Sequence, residues 1–157
     1  EGLVRRARLR GSLLLLQEQE GEAMNTPHAS TVADHMKTDL VTLTADLEIV
    51  RAVALLMKNE VSGACVLDEN GELIGVLSKR DCLRAALSAS YYRQWGGTVA
   101  DYMTRHPQTL DAGLDLVGAA EMMIHSSYRR FPVVRHGRFV GQISRTDVLR
   151  ALSDYWK

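Results

Sequence analysis

Apolar residues along this chain stand at a helical spacing in some stretches and form short unbroken runs in others. Residues 47–58 show the helical spacing, with apolar side chains three or four positions apart: Val50, Val53, Ala54 and Met57. Two short apolar runs follow at 64–67 and 73–77, and each has the length of a strand. The turn pair Asn70-Gly71 lies between the runs and is a strong hairpin signal. The pattern therefore predicts a helix followed by a two-stranded hairpin.

The same order of elements occurs twice along the chain. In the first copy a short strand around Thr42 precedes the helix, Asp46 is the expected N-cap of that helix, and a closing helix starts near residue 79 or 80. The second copy predicts a helix over 114–125, strands over 131–134 and 139–144, and a last helix to about residue 154. The chain is therefore predicted to be an α/β (α+β) protein with two β-α-β-β-α repeats.

Residue identities indicate that the two copies arose by duplication. Residues 31–36 read Thr-Val-Ala-Asp-His-Met and return as Thr-Val-Ala-Asp-Tyr-Met at 98–103. The repeats are assigned to residues 31–88 and 98–154, joined by a linker at 89–97 in which Gly96-Gly97 is expected to end a helix. A repeat of about 55 residues buries too little surface to be secure alone, so the two pseudo-symmetric repeats are expected to pack sheet to sheet around one core.

The composition narrows the class of function. Nineteen basic and nineteen acidic residues cancel, which argues against a nucleic-acid surface. No apolar run is long enough for a membrane span, and Cys65 and Cys82 form neither a metal spacing nor a disulfide framework. The sequence therefore predicts a cytoplasmic protein without metal, without nucleic acid and without membrane insertion.

Residues 1–30 precede the repeats as an N-terminal extension. Arginines, then leucines, then glutamates follow one another in residues 1–23, and Met24 has the look of a natural start. We expect residues 1–23 to derive from upstream sequence or to form an amphipathic helix.

Each repeat ends on the motif Gly-x-x-Ser-x-x-Asp, at the point where a strand is expected to end and a helix to begin. The first motif contains Ser78 and Asp81, and the second contains Ser144 and Asp147. Free backbone N–H groups and the positive end of the helix dipole make such a place suitable for oxygen-rich ligands. A serine followed three residues later by an acid is also a helix-capping pattern, so capping alone is the alternative interpretation.

The duplicated pattern with this motif in the same frame resembles the CBS domain, and two copies in tandem resemble a CBS pair, or Bateman module. The resemblance covers residues 31–153. It implies a regulatory, non-catalytic module that binds AMP, ADP or ATP in clefts between the repeats, with S-adenosylmethionine less expected. It also implies a homodimer that acts on a regulated protein whose identity the sequence does not give. No cofactor and no catalytic motif is expected.

The resemblance also assigns the binding residues. Asp81 and Asp147 would accept hydrogen bonds from ribose hydroxyls, because a carboxylate can accept from two neighbouring hydroxyls at once. The other residues that the resemblance assigns to the ligand are Thr42, Val66, Ser78, Thr109, Arg129, Arg130, Val133, Ser144 and Thr146. Thr42 and Thr109 would contact base or ribose, and the backbone beside Val66 and Val133 would line the adenine slot.

The two copies differ in charge before their hairpins. Arg129 and Arg130 precede the second hairpin, whereas Ser62 and Gly63 hold the corresponding place in the first copy. Residues 129–150 contain six arginines and one acid, which gives a local anion-attracting field. By the family pattern, a nucleotide on Asp81 would gain phosphate partners from the two arginines. The alternatives are a ligand-free dimerising scaffold for a partner protein and a nucleic-acid binder that uses the arginine-rich copy.

Overall fold

The computed structural model describes residues 30–156, so the expectation for residues 1–23 lies outside the described part of the chain. The elements follow in chain order: α1 (Val32–His35), β1 (Thr42–Thr44), α2 (Ile49–Lys58), β2 (Gly63–Leu67), β3 (Leu73–Ser78), α3 (Lys79–Tyr92), α4 (Val99–Tyr102), β4 (Thr104–Arg105), β5 (Leu110–Asp111), α5 (Leu116–Ile124), β6 (Arg130–Arg135), β7 (Arg138–Ser144) and α6 (Arg145–Tyr155). The described chain is thus a mixed α+β fold with two sheets, as the repeat pattern predicts.

The described residues form two compact units, one of residues 40–107 and one of residues 30–39 with 108–156. The first unit contains a four-stranded sheet in the order β1-β2-β3-β4. Strand β1 runs parallel to β2, and β2, β3 and β4 are antiparallel neighbours. Helices α2, α3 and α4 belong to the same unit. Its core includes Leu43, Ile49, Leu56, Val66, Leu77 and Val99.

The second unit repeats this arrangement with a three-stranded sheet in the order β5-β6-β7. Strand β5 is parallel to β6, and β6 is antiparallel to β7. Helices α5, α6 and α1 belong to this unit. Its core includes Val32, Leu110, Leu116, Phe131, Val133 and Ile143.

Each compact unit contains the leading segment of the other sequence repeat. Helix α1 begins the first repeat but packs in the second unit, where Val32 is fully buried. The next residues pair with β7, because the Lys37 N–H donates to the Gln142 carbonyl at 2.8 Å and the Gln142 N–H donates back at 2.9 Å. Helix α4 and β4 occupy the corresponding places in the first unit. Close contact at this crossing explains the motif glycine, since a Cβ on Gly141 would lie 2.8 Å from the Lys37 carbonyl oxygen.

Two local predictions were wrong. Helix α2 has Glu48 as its N-cap, not Asp46, and no side chain caps it. Residues 47 and 48 are held extended because they pair with the chain before α4: the Val99 N–H donates to the Leu47 carbonyl, and the Ile49 N–H donates to the Gly97 carbonyl. The helix can therefore begin only after this pairing ends.

The second wrong prediction concerns the end of the helix before the second repeat. Helix α3 includes the first residues of the predicted linker and ends at Tyr92, before Gly96-Gly97. Its C-cap is Arg93, which adopts the left-handed conformation with φ of 54°. A left-handed C-cap usually falls on glycine, so no local pattern indicated that the helix would stop at arginine.

Candidate functional site

The two Ser-x-x-Asp motifs form complete helix caps. Ser144 is the N-cap of α6, where its Oγ accepts a hydrogen bond from the Asp147 N–H at 3.1 Å and its own N–H donates to Asp147 Oδ2 at 2.9 Å. Ser78 and Asp81 make the same reciprocal bonds at the start of α3, at 3.2 and 2.9 Å. Both motifs therefore cap the helices that they begin, and the choice between capping alone and capping with ligand binding stays a prediction. In each carboxylate the cap engages Oδ2, so Oδ1 is the oxygen that a ligand could address.

In the second unit Oδ1 of Asp147 faces a cation from the leading segment. Lys37 Nζ lies 3.8 Å from Asp147 Oδ1, and the lysine side chain is 67% exposed while that of the aspartate is 7% exposed. An ion pair this loose and this open to water contributes little to folding stability. A ligand hydroxyl could therefore displace the ammonium from Oδ1 at low cost.

A cleft of about 490 Å³ opens around this carboxylate. Its lining residues are Lys37, Arg129, Arg130, Ser144, Arg145, Thr146, Asp147 and Arg150. They include five cations, two hydroxyls and one carboxylate. The volume lies in the range of small-molecule sites, and the N-terminus of α6 adds the positive end of its dipole.

Arg145 has a structural role at the wall of this cleft. Its guanidinium donates to the Ser126 carbonyl at 2.6 Å and to the Met123 carbonyl at 3.3 Å, at the C-terminal end of α5. Its backbone N–H donates to the Arg129 carbonyl at 3.0 Å. Arg145 therefore ties the start of α6 to α5 and to the segment before β6, which fixes the backbone that carries Arg129.

The first unit surrounds its carboxylate differently. Arg84 NH1 lies 3.4 Å from Asp81 Oδ1, and the Ser78 hydroxyl donates to Oδ2 at 2.9 Å. The repeat alignment places Thr104, Ser62 and Gly63 at the positions of Lys37, Arg129 and Arg130. The immediate environment of Asp81 within its unit thus lacks the three cations that accompany Asp147.

The remaining predicted residues lie on the strands. Val66 and Val133 are fully buried, with 0% of each residue exposed, so their predicted contact with adenine stays a prediction. Thr42 is also buried in β1, and Thr109 is half-buried just before β5. The structure brings together Arg129, Arg130, Ser144, Thr146 and Asp147 in one cleft. The pairing of Arg129 and Arg130 with a ligand on Asp81 joins residues of different units and stays a prediction.

Sequence reasoning missed Lys37, Arg145 and Arg150 as cleft residues. Lys37 belongs to the leading segment of the first repeat, and nothing in its own neighbourhood indicates that it pairs with β7. Arg150 stands one helical turn after Asp147 on α6, a spacing that places the two side chains on one face. The helical spacing was the available signal for Arg150. Lys37 could be found only by knowing that the leading segment of the first repeat packs in the second unit.

A second cleft of about 610 Å³ lies on the other side of Asp147. It is lined by Ser30, His35, Asp147, Arg150, Ala151, Asp154 and Tyr155. Ser30 Oγ and His35 Nε2 lie 3.0 Å apart and form a hydrogen bond. Asp147 and Arg150 line both clefts, so the two spaces meet at the same face of α6.

Neither cysteine has the properties of a nucleophile. Burial raises the pKa of Cys65 to about 12. Burial, and secondarily the negative charge of Asp81, also raises the pKa of Cys82. Both thiols stay protonated at neutral pH, and it is the thiolate that reacts. Among residues 30–156 no group of three His, Cys, Asp or Glu side chains is placed to hold a metal ion, and none of the helices there has the length and apolar character to span a bilayer.

The doubled fold with one capped motif in each repeat defines a tandem α+β module. The family model of the CBS domain matches the chain twice, over residues 32–88 and 99–154. The chain belongs to the CBS domain family and carries two CBS domains in tandem.

Proteins similar to this chain occur in an archaeon and in a plant. MJ1225 of Methanocaldococcus jannaschii is 31% identical over 134 residues, which are 85% of this chain and 45% of that protein. The chloroplastic CBS domain-containing protein CBSX1 of Arabidopsis thaliana is 30% identical over 149 residues, covering 77% of this chain and 63% of that protein. The chain therefore spans about half the length of these two relatives.

Solved structures include that of CBSX2 in complex with AMP. It superposes with a TM-score of 0.71 at 30% identity and covers 82% of this chain and 99% of that one. CBSX2 from Arabidopsis thaliana has also been solved as a CBS-pair protein, with a TM-score of 0.70, 30% identity, and coverage of 80% of this chain and 95% of that one.

Proposed function

We propose that this chain is a regulatory module that binds adenosine-containing nucleotides and has no catalytic activity of its own. Membership of the CBS family and the 30% identity to CBSX2, which was solved with AMP, support the proposal. The observation that carries it is the cleft at Asp147. A buried carboxylate, two hydroxyls and five cations there offer partners for ribose and for phosphate.

The site residues of the proposal are those that the family resemblance assigns. Asp81 and Asp147 accept from ribose through Oδ1, Arg129 and Arg130 bind phosphate, and the strand backbone at Val66 and Val133 contacts adenine. Ser78, Ser144 and Thr146 are the nearby hydroxyls, with Thr42 and Thr109 on the base side. AMP, ADP and ATP are the proposed ligands, and binding acts on a partner protein only if one conformation binds the nucleotide better than another.

A thermal-shift series tests this proposal. A ligand that binds only the folded state stabilises it by about 2.7 kcal/mol at one hundred times its dissociation constant. AMP, ADP or ATP at millimolar concentration should therefore raise the melting temperature by several degrees, while guanosine nucleotides should not. No shift with any adenosine compound, S-adenosylmethionine included, would contradict the proposal.

A ligand-free interaction scaffold is the second candidate, because both aspartates already have a structural role as helix caps. Helix α3 also presents an exposed apolar stripe of Leu83, Leu87 and Tyr91, whose exposures are 69%, 58% and 76%. We propose that this stripe supports a homodimer in either case. Sedimentation of the wild type should give a dimer, and Leu83→Glu with Leu87→Glu should give a monomer. The control Arg135→Glu, an exposed residue of β6 away from the stripe, should leave the dimer intact.

A further inference from the structure

We infer that the cleft of the second unit selects its ligand by phosphate charge, so that ATP binds more tightly than AMP and the cationic S-adenosylmethionine is rejected. The inference rests on the proposed function and deepens it. It adds Lys37 and Arg150 to the binding residues, neither of which the family resemblance assigned.

Charge is the first observation that carries the inference. Lys37, Arg129, Arg130, Arg145 and Arg150 line the cleft, and Asp147 is the single acid among the lining residues. The net formal charge of the lining is therefore +4, five positive charges minus one negative. The N-terminus of α6 points its dipole the same way. Such a wall attracts a triphosphate more strongly than a monophosphate and repels a sulfonium that carries an ammonium group as well.

The second observation is that these cations are exposed to solvent. Lys37 Nζ is 3.8 Å from Asp147 Oδ1, and 67% of the lysine side chain is exposed. Its ammonium group is therefore accessible to a phosphate in the cleft. Arg129, Arg130 and Arg150 are exposed as well. Arg145 is different because its guanidinium is held by the carbonyls at the end of α5. Four exposed cations around one fixed arginine are more than a single phosphate group can engage.

The comparison between the units gives the third observation. At Asp81 the aligned residues are Thr104, Ser62 and Gly63 in place of the lysine and the arginine pair. Asp81 Oδ1 has Arg84 as its cation, the counterpart of Arg150. The positions of the first unit that align with the cleft still carry Lys79, Arg80 and Arg84 against the one acid Asp81, a net charge of +2 (three minus one) compared with +4 in the second unit. Charge selection is therefore stronger in the second unit, where the ribose anchor is Asp147. This differs from the family-based expectation that the better-equipped ligand would sit on Asp81.

Calorimetric titration of the full chain with adenosine, AMP, ADP, ATP and S-adenosylmethionine tests the inference. We expect affinity to rise with each phosphate, with ATP at least about tenfold tighter than AMP at low salt, because charge-assisted hydrogen bonds are the strong ones. Raising the salt concentration should reduce this preference. S-adenosylmethionine should bind more weakly than adenosine.

Matched double variants show which cations cause the preference for ATP over AMP. Arg129→Gln with Arg130→Gln should reduce the preference of ATP over AMP to about threefold or less, and Lys37→Gln should reduce it in part. The control is Arg135→Gln with Arg138→Gln, an exposed pair at the turn between β6 and β7 that removes the same charge outside the cleft. The control should keep the preference. Asp147→Asn should weaken the binding of all the nucleotides.

The outcomes separate the inference from the function on which it rests. Equal affinity for AMP and ATP, tight binding of S-adenosylmethionine, or an equal effect of the control pair would overturn charge selection while nucleotide binding stands. Loss of the tight site in Asp81→Asn with retention in Asp147→Asn would also overturn it. Absence of heat with every compound, adenosine included, would instead refute the proposed function.

Discussion

At the scale of single residues, the serine and aspartate of each motif cap a helix, so a bound ligand would share these side chains with the cap. Each serine hydroxyl and each aspartate Oδ2 belongs to a reciprocal helix cap. The cap also holds the carboxylate in one orientation, with Oδ1 left for other partners. A ribose would therefore meet a carboxylate that is already positioned and would not have to order it.

Ser144→Ala should lower the free energy of unfolding by about 1 kcal/mol, since loss of an N-cap hydroxyl typically costs that much. Urea denaturation followed by circular dichroism measures the change. The matched control is Ser153→Ala on the same helix, where the exposed hydroxyl only donates to the Arg150 carbonyl. We expect the control to stay within about 0.5 kcal/mol of the wild type. Equal changes in the free energy of unfolding for the two substitutions would mean that the Ser144 cap does not stabilise the helix.

The buried thiol of Cys65 makes stability fall at alkaline pH. Burial raises its pKa from 9.0 to about 12 in the folded state, so the folded protein holds the proton longer than the unfolded chain does. The contribution is complete below the unfolded value and is lost as pH rises through the window between the two. Between pH 8 and 10.5 the wild type should lose about 1–2 kcal/mol more than Cys65→Ala. Parallel pH profiles for the two proteins would contradict this.

At the scale of elements, the leading segments are what the sequence predicted least well. Periodicity located the longer helices and the hairpin strands to within a few residues, because each has an apolar face that is visible in the chain. The short elements of the leading segments, α1, α4 and β4, were not predicted. Arg129, Arg130 and Asp147 were also found, because the motif lies beside the basic hairpin. Lys37 was missed, since its place beside Asp147 depends on a pairing with Gln142 more than one hundred residues away in the chain. Such long-range pairing leaves no local pattern.

Gly141→Ala should disturb this pairing. The added Cβ would lie 2.8 Å from the Lys37 carbonyl oxygen and 2.8 Å from Met36 Sδ, so the backbone of the leading segment must move. We expect a loss of about 1–3 kcal/mol in unfolding free energy, as for other overpacked sites, together with weaker ATP binding because Lys37 moves with its backbone. Gly96→Ala is the control, because a Cβ there meets open space. A fully stable Gly141→Ala protein would show that the contact is not tight.

At the scale of the whole molecule, the two repeats are joined by their leading segments, residues 30–39 and 98–107, each of which packs in the unit of the other repeat (the exchanged segments). The second unit needs α1 from the first repeat, and the first unit needs α4 from the second. The link is apolar as well as hydrogen-bonded, because Val32 and Val99 are fully buried in their host cores. A nucleotide that acts on Lys37 therefore acts on the chain segment that leads directly into the other unit.

Cutting the chain between the repeats should not separate them. A protease site placed at residues 94–96, which are exposed, would give two fragments that each retain a helix needed by the other unit. We expect the fragments to co-elute in size-exclusion chromatography and to part only in denaturant. Val32→Asp combined with Val99→Asp should release them, because each buried charge costs several kcal/mol. Separation of the wild-type fragments without denaturant would refute the role of the exchanged segments.

A crystal structure of the chain grown with excess ATP is the most direct test of nucleotide binding at Asp147. We predict ribose hydroxyls within hydrogen-bond distance of Asp147 Oδ1 and phosphates against Arg129, Arg130 and Lys37. A structure in which the cleft is empty at saturating ATP, with Lys37 still beside Asp147, would contradict the proposal.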